Sequence, residues 1–389
     1  MKRQRIAIGL GLAVITGLGA VALYISSPLT EEPDLPPGMV FRGDSKELAK
    51  TVVVPTLDTP MPAGKNVIWC GTFQLAWNRL GDDVIHESPQ IEDAEDVVSR
   101  LNSSQFSKDA LPADSYFAAA GLVKDGIVDE IRREMANHFH RDPRIEAGSG
   151  ENSILAYAYM QANVPFTIPF FEHTPRFRFI DSRGNAAEVT SFGIRKDSGP
   201  DQLRGQPEVL YAATGDSVIL EGEFAVDLCR DSMPSQIILA LVEPKKSLLA
   251  TWKDIQKKIN DHPPSSRAEK LWSSDTLIVP NVYYDVAHRF AELEGRRLLN
   301  RGFQRYFCER AYQAVRFRLD RSGAELASEA ELAIPSLGRE FVFDQPFLIW
   351  MKKRGGEKPF FVMWVDNAEL LCKPPVQDPA QPSPTNGNS

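Results

Sequence analysis

His138 and His140, two residues apart, have the donor chemistry of a metal site. They close 127-IVDEIRREMANHFH-140, where Ile127, Ile131 and Met135 recur every four residues, the pattern of an amphipathic helix. On a helix, residues two apart diverge, and imidazoles in a last turn suit the helix dipole instead. No metal site is assigned. Gly148-Ser149-Gly150 lacks the Gly-Lys-Ser/Thr of a phosphate loop and reads as a turn. No G-x-S-x-G, H-E-x-x-H or C-x-x-C occurs, and scattered Ser, His and Asp make no triad without geometry. The chain is therefore not read as an enzyme, and no cofactor is implied.

The segment 311-AYQAVRFRLDRSGAELASEAELAIPSLGREFVFDQPFLIWMKK-353 carries more information. Val315, Phe317 and Leu319 alternate with Arg316, Arg318 and Asp320, the period of a strand with one buried face. Beyond Gly323, Ala324, Leu326, Ser328, Ala330 and Leu332 share one face, against Glu325, Ala327, Glu329, Glu331 and Ala333 on the other. Such a ribbon fits a sheet, yet Ala, Leu and Glu also favour helix. A segment poised between loop and strand can act as a switch. The plain alternative is an exposed connection with no chemistry of its own.

Ala314-Val-Arg-Phe-Arg-Leu-Asp-Arg-Ser-Gly-Ala-Glu, followed about twenty residues later by Phe343-Asp-Gln-Pro-Phe-Leu-Ile-Trp, resembles the serpins. The likeness rests on Ala314, Val315, Asp320, Gly323, Glu325, Asp344, Pro346, Phe347 and Leu348, and its weaker landmarks run in order over 66–371. It implies a hinge at Gly323, Ala324, Glu325, Leu326, Ala327 and Ser328, and a reactive loop containing Pro335, Ser336, Leu337, Gly338 and Arg339. By that analogy a serine (or cysteine) endopeptidase cleaves the loop within Pro335–Arg339 and is trapped as the freed segment enters a sheet. Leu337 would suit an apolar primary pocket and Arg339 a trypsin-like one. The chain departs from the family in several places: the usual first helix is not evident, and the span from Gly323 to Phe343 is a couple of residues short. Cys70-Gly71-Thr72-Phe73 replaces Ser-Pro-Leu-Ser, 163-NVPFTIPF-170 lacks the expected Trp, and Leu326-Ala327-Ser328-Glu329 replaces a run of alanines. The resemblance also admits a non-inhibitory binding or structural module held at the membrane. A reading from another class is a secreted hydrolase on an unrelated α+β fold.

The elements that would position this loop read as follows. A short strand enters a buried helix over 66–81, and the 127–140 helix comes next. Strands follow at 154–160, 177–180, 217–228 and 236–242, then a helix at 247–260 with Leu249, Trp252, Ile255 and Ile259 on one face. Strand signals resume at 277–286, and a hairpin of 346–353 and 359–365 closes the chain. Helices early and strands late give an α+β fold, and the resemblance to the serpins implies a large central sheet with further sheets, surrounding helices and an exposed reactive-centre loop.

With 43% hydrophobic and 25% charged residues, the chain can bury a substantial core. Setting aside Lys2, Arg3 and Arg5 takes the net charge from −8 to −11, which argues against a nucleic-acid partner. Residues 6–25 carry no charge and follow that basic cluster, so they read as a signal anchor, with cleavage near Ala20-Val21-Ala22 the competing reading. Either exports the domain, as a membrane-anchored or a secreted protein. The expected order is an anchor or signal peptide over 1–27, a proline-rich linker over 28–65, the domain over 66–372, and a disordered tail over 373–389. Cys70, Cys229, Cys308 and Cys372 lie far apart, and the sequence leaves both disulfides and buried thiols open.

Overall fold

The alternation at 315–319 belongs to β13 (Phe307–Leu319), a central strand of a five-stranded sheet. The computed structural model describes residues 38–374 apart from 105, 144, 146–149, 151, 163, 215–219, 262–269 and 322–337. The central sheet has the order β1 (Phe41–Asp44), β12 (Val282–Arg289), β13, β5 (Ser153–Ala162), β4 (Tyr116–Leu122). β12 and β4 run antiparallel to their inner neighbours, whereas β13 and β5 are parallel, in register from Phe307↔Ser153 to Phe317↔Ala162 with one irregularity after Cys308.

A seven-stranded sheet packs against the inner face of this one. Its order is β2 (Thr51–Val53), β3 (Asn66–Cys70), β16 (Pro359–Val365), β15 (Phe347–Lys353), β10 (Ser235–Leu241), β9 (Leu220–Asp227), β8 (Glu208–Thr214). A third sheet has the order β14 (Glu340–Val342), β11 (Thr276–Pro280), β7 (Ala186–Ile194), β6 (Phe171–Ile180). β15 and β16 form the expected hairpin. The 277–286 run divides at Asn281, with β11 in the third sheet and β12 in the central one. The main core lies between the first two sheets, where Ile154, Ala156, Ala158, Met160, Val315 and Phe317 meet Trp350, Phe361 and Met363. The Phe317 and Phe361 rings stack 4.7 Å apart. Burying side chains of this size contributes roughly 1.5–3 kcal/mol each.

The helices are α1 (Thr72–Arg79), α2 (Glu95–Ser103), α3 (Ile127–Phe139), the short α4 (Asp201–Arg204) and α5 (Leu248–Asp261). Ile127, Ile131 and Met135 of α3 are buried on the outer face of the central sheet, against Leu155, Tyr157, Tyr159, Tyr312 and Ala314. In α5 the buried stripe is Leu248, Thr251 and Ile255, turned slightly from the expected face. No helix among the described residues is long and apolar enough to cross a membrane, and residues 6–25 lie outside them.

The proline-rich stretch joins the fold earlier than its composition predicts. From Gly38 onward it is folded: Val40 N–H donates to the Tyr283 carbonyl (2.9 Å), β1 pairs with β12, and β2 pairs with β3. The Glu369 carboxylate accepts from the Ala49 and Lys50 amides and from Thr51 Oγ1. These strands are three and four residues long and lie at sheet edges, with Pro55, Pro60 and Pro62 outside them, where a missing N–H costs no ladder bond.

Candidate functional site: the seam of the central sheet

The 322–337 segment leaves one sheet and returns to another. Its near end is β13, followed by Asp320 and Arg321; its far end is Gly338, Arg339 and β14. The hinge residues 323–328 and the loop residues 335–337 lie outside the described residues.

At the near end, Arg321 and Phe170 exchange two bonds. Phe170 N–H donates to the Arg321 carbonyl, and Arg321 Nε donates to the Phe170 carbonyl, both at 3.0 Å. Phe170 belongs to the connection after β5, so this pair ties the two sides of the β5–β13 seam together at its mouth. Beneath it is a small cavity lined by Val164, Phe166, Phe317, Leu319, Ile237 and Met351. Here the sequence lacks the Trp that its resemblance led us to expect.

Midway along the seam, on its inner side, stands Gln313. Its Nε2 donates to the Cys70 carbonyl (3.0 Å) and to Thr72 Oγ1 (2.9 Å), while its Oε1 is buried without a hydrogen-bond partner. Cys70 Sγ lies 3.0 Å from Met160 Sδ and 3.2 Å from Thr72 Oγ1. Burial pushes the Cys70 thiol up to about 11, against the opposing pull of its bond to Thr72. The four cysteines are all buried free thiols, which settles a question the sequence left open.

The far end corrects one expectation. The resemblance implies that Arg339 is a loop residue able to enter a trypsin-like pocket, but it is 6% exposed. Its Nη2 and Nε donate to Asp275 Oδ2 (2.6 and 3.1 Å), its backbone N–H to Asp275 Oδ1 (3.0 Å), and Nη2 also to the Lys270 carbonyl (2.7 Å). The guanidinium stacks over Trp272, 4.7 Å from the ring centroid. Arg204 backs the same turn by donating to the Trp272 carbonyl at 2.5 Å. Gly338 is equally fixed, since a Cβ there would stand 1.8 Å from the Ser274 carbonyl oxygen. Gly338 and Arg339 are therefore built into the third sheet's edge in this structure. A charged residue after a loop looks exposed in sequence; its partner, 64 positions away, leaves no local mark.

The histidines serve local structure. His138 pairs with Glu134 across one helical turn (3.1 Å), and His140 caps α3 in the left-handed region (φ 52°). Asp275, Gln313 and Arg321 went unnoticed in the sequence, because each acts through contacts distant along the chain.

No protein-family model matches the chain, and no curated protein matches it in sequence. Solved structures do. Human glycosylated kallistatin superposes with a TM-score of 0.50 at 11% identity, over 78% of this chain and 92% of that one. Thyroxine-binding globulin in complex with thyroxine gives 0.49 at 12%, over 80% and 94%. Serpin48 of the insect Tenebrio molitor gives 0.45 at 12%, over 78% and 92%. At such identities the likeness is one of fold. The chain is a divergent member of the serpin fold.

Proposed function

We propose that this chain inhibits a serine-type (secondarily a cysteine-type) endopeptidase by loop cleavage and insertion. The supporting observation is the parallel β5–β13 pair, with the 322–337 segment departing from the end of β13. A segment that reverses there and enters the seam runs antiparallel to both neighbours. It exchanges one parallel ladder for two antiparallel ones, and parallel pairing is the weaker per residue. Residues 324–334 match in number the 307–317 stretch they would line, and Glu325, Glu329 and Glu331 would keep to one face. The proposed cleavage lies within Pro335–Leu337, a reading supported by the holding of Gly338 and Arg339 in the third sheet, and Leu337 would suit a protease with an apolar primary pocket. We also place the domain outside the cytoplasm, anchored through 6–25 or released by cleavage after Ala22; N-terminal sequencing of the membrane-bound and released protein decides between these.

A second reading, a non-inhibitory binding module, is favoured by Leu326, which stands where the resembled family has alanine. Overpacking costs roughly 1–3 kcal/mol and slows insertion, giving the protease time to escape.

The full chain is to be incubated with chymotrypsin-like, elastase-like and trypsin-like proteases, then run on denaturing gels and melted. A covalent complex is the expected result. Clean cleavage with a large gain in Tm supports the second reading, and cleavage without gain overturns insertion altogether. Ala330→Pro is expected to turn an inhibitor into a substrate, because proline cannot donate to the new ladder. Trapping that survives this substitution refutes the mechanism.

A further inference from the structure

The outer face of the seam carries a feature that the insertion reading does not use. α3 lies across both sides of the seam, and the chain leaves it through the left-handed His140. The next residue, Arg141, spans three strands. Its Nη1 donates to Tyr159 Oη on β5 (2.9 Å), and its Nη2 pairs with the Asp285 carboxylate on β12. β13 runs between these strands. Ala314 stands opposite both Tyr159 and Ala287, and its small side chain leaves space under the bridge, where a shallow cavity lies. The Asp285 side chain is 4% exposed, and its second cation is Arg42 of β1, 3.8 Å away.

We propose that Arg141 is a latch holding the β5–β13 seam closed from its outer side, and that no strand enters until the Arg141–Tyr159 bond lets go. This inference rests on the insertion reading above. Neighbouring strands lie about 4.8 Å apart, so an added strand moves β5 away from β12 by roughly that distance. One guanidinium making bonds of ordinary length, about 2.7–3.2 Å, cannot follow both partners through such a displacement. The Asp285 leg is charged at both ends and buried, whereas the Tyr159 leg ends on a neutral hydroxyl that also donates to exposed Gln161 (3.1 Å). The tyrosine leg therefore yields first. Arg141 then stays paired with Asp285 while β5 swings out.

Tyr159→Phe tests this on the full chain. It keeps the ring packed edge-on against Phe139 (centroids 4.8 Å apart) and removes only the hydroxyl. A hydrogen bond to a charged group is worth enough to predict about a tenfold faster gain of thermal stability after the loop is nicked. The final Tm of the nicked form should equal that of the nicked wild type, because the latch is already open there. In the uncut chain, amide exchange on β5 and β13 should rise while that on β15 and β16 stays constant. Wild-type insertion rates together with unchanged exchange overturn the latch and leave the insertion reading standing. A nicked wild-type chain that never gains stability sinks both.

Discussion

The two ends of the 322–337 segment are held by very different means. At the far end Arg339 is enclosed by Asp275, the Lys270 carbonyl and the Trp272 ring, with Arg204 behind them and Gly338 pressed onto the Ser274 backbone. β14 itself has only three residues, so this clasp, not strand length, fixes the edge of the third sheet. At the near end the Arg321–Phe170 bonds close a partly exposed mouth with a small cavity below it. The contrast gives the device a direction. On the proposed mechanism, a cut would release the piece attached to β13 while the piece attached to β14 stays seated, and in an intact chain the far clasp would oppose insertion by pinning the other end.

The largest test of this asymmetry is Asp275→Ala. It strands the Arg339 guanidinium with no carboxylate at a site where the Asp275 side chain is 0% exposed. Breaking a buried pair from one side costs about 3–5 kcal/mol, so the uncut chain should show a clear fall in Tm. If the clasp matters only to the third sheet's edge, amide exchange should rise most in β14 and β11. A uniform rise over the whole fold would mean that Asp275 supports the core at large and that the two ends are not distinct devices.

The parts of this arrangement legible in sequence are those with a short period. β13, β5 and the β15–β16 hairpin alternate or run apolar because they are buried by neighbouring layers, and the helix over 127–140 shows its stripe. What escaped notice is held by distant partners. β1 and β2 are too short to show a period, and proline nearby disguises them as linker. The Arg339 side chain looks like a loop charge because Asp275 is far away in the chain, and Arg141 sits just past a helix end with partners 18 and 144 residues away. The hinge pattern at 323–328 was legible only through resemblance, and it lies outside the described residues.

Acid should sharpen the contrast between the two ends. Burial, aided by the charge of Arg195, pushes His173 down to about 4, and it hydrogen-bonds the backbone of Leu277 in β11, the strand that seats β14. His288 is also pushed down to about 4 by burial; it bonds Ser45 Oγ at 2.6 Å and lies away from both loop ends. A histidine with a folded pKa below its ordinary 6.5 stays neutral in the fold while the unfolded chain takes up a proton. Stability is then full above about 6.5, declines as pH falls toward 4, and levels off below that. Each site contributes at most about 3 kcal/mol to that decline. His173→Gln should flatten the pH dependence of a denaturant midpoint measured at pH 7 and 4.5 by about half. It should also remove the extra exchange that acid induces in β14. His288→Gln should flatten the midpoint equally but leave β14 exchange unaltered. The same β14 response from both variants would show that acid acts on the fold as a whole.

The smallest effect on stability is expected at the near end, and there rate is more informative than Tm. Arg321→Ala removes the Nε bond to the Phe170 carbonyl but leaves the backbone bond from Phe170 N–H in place. Arg321 is itself part-exposed, so its removal lets water reach the Phe170 carbonyl, and the loss should be about 1 kcal/mol, barely visible in a melting curve. That bond nevertheless crosses the mouth of the seam, where an entering segment must first part the connection after β5 from the end of β13. The variant should therefore insert its nicked loop several-fold faster while its uncut Tm barely moves, the reverse of the pattern expected for Asp275→Ala. A variant that melts like the wild type and inserts at the wild-type rate would show that the mouth is already open in solution. The rate-limiting resistance would then lie deeper in the seam, at Gln313 or under α3.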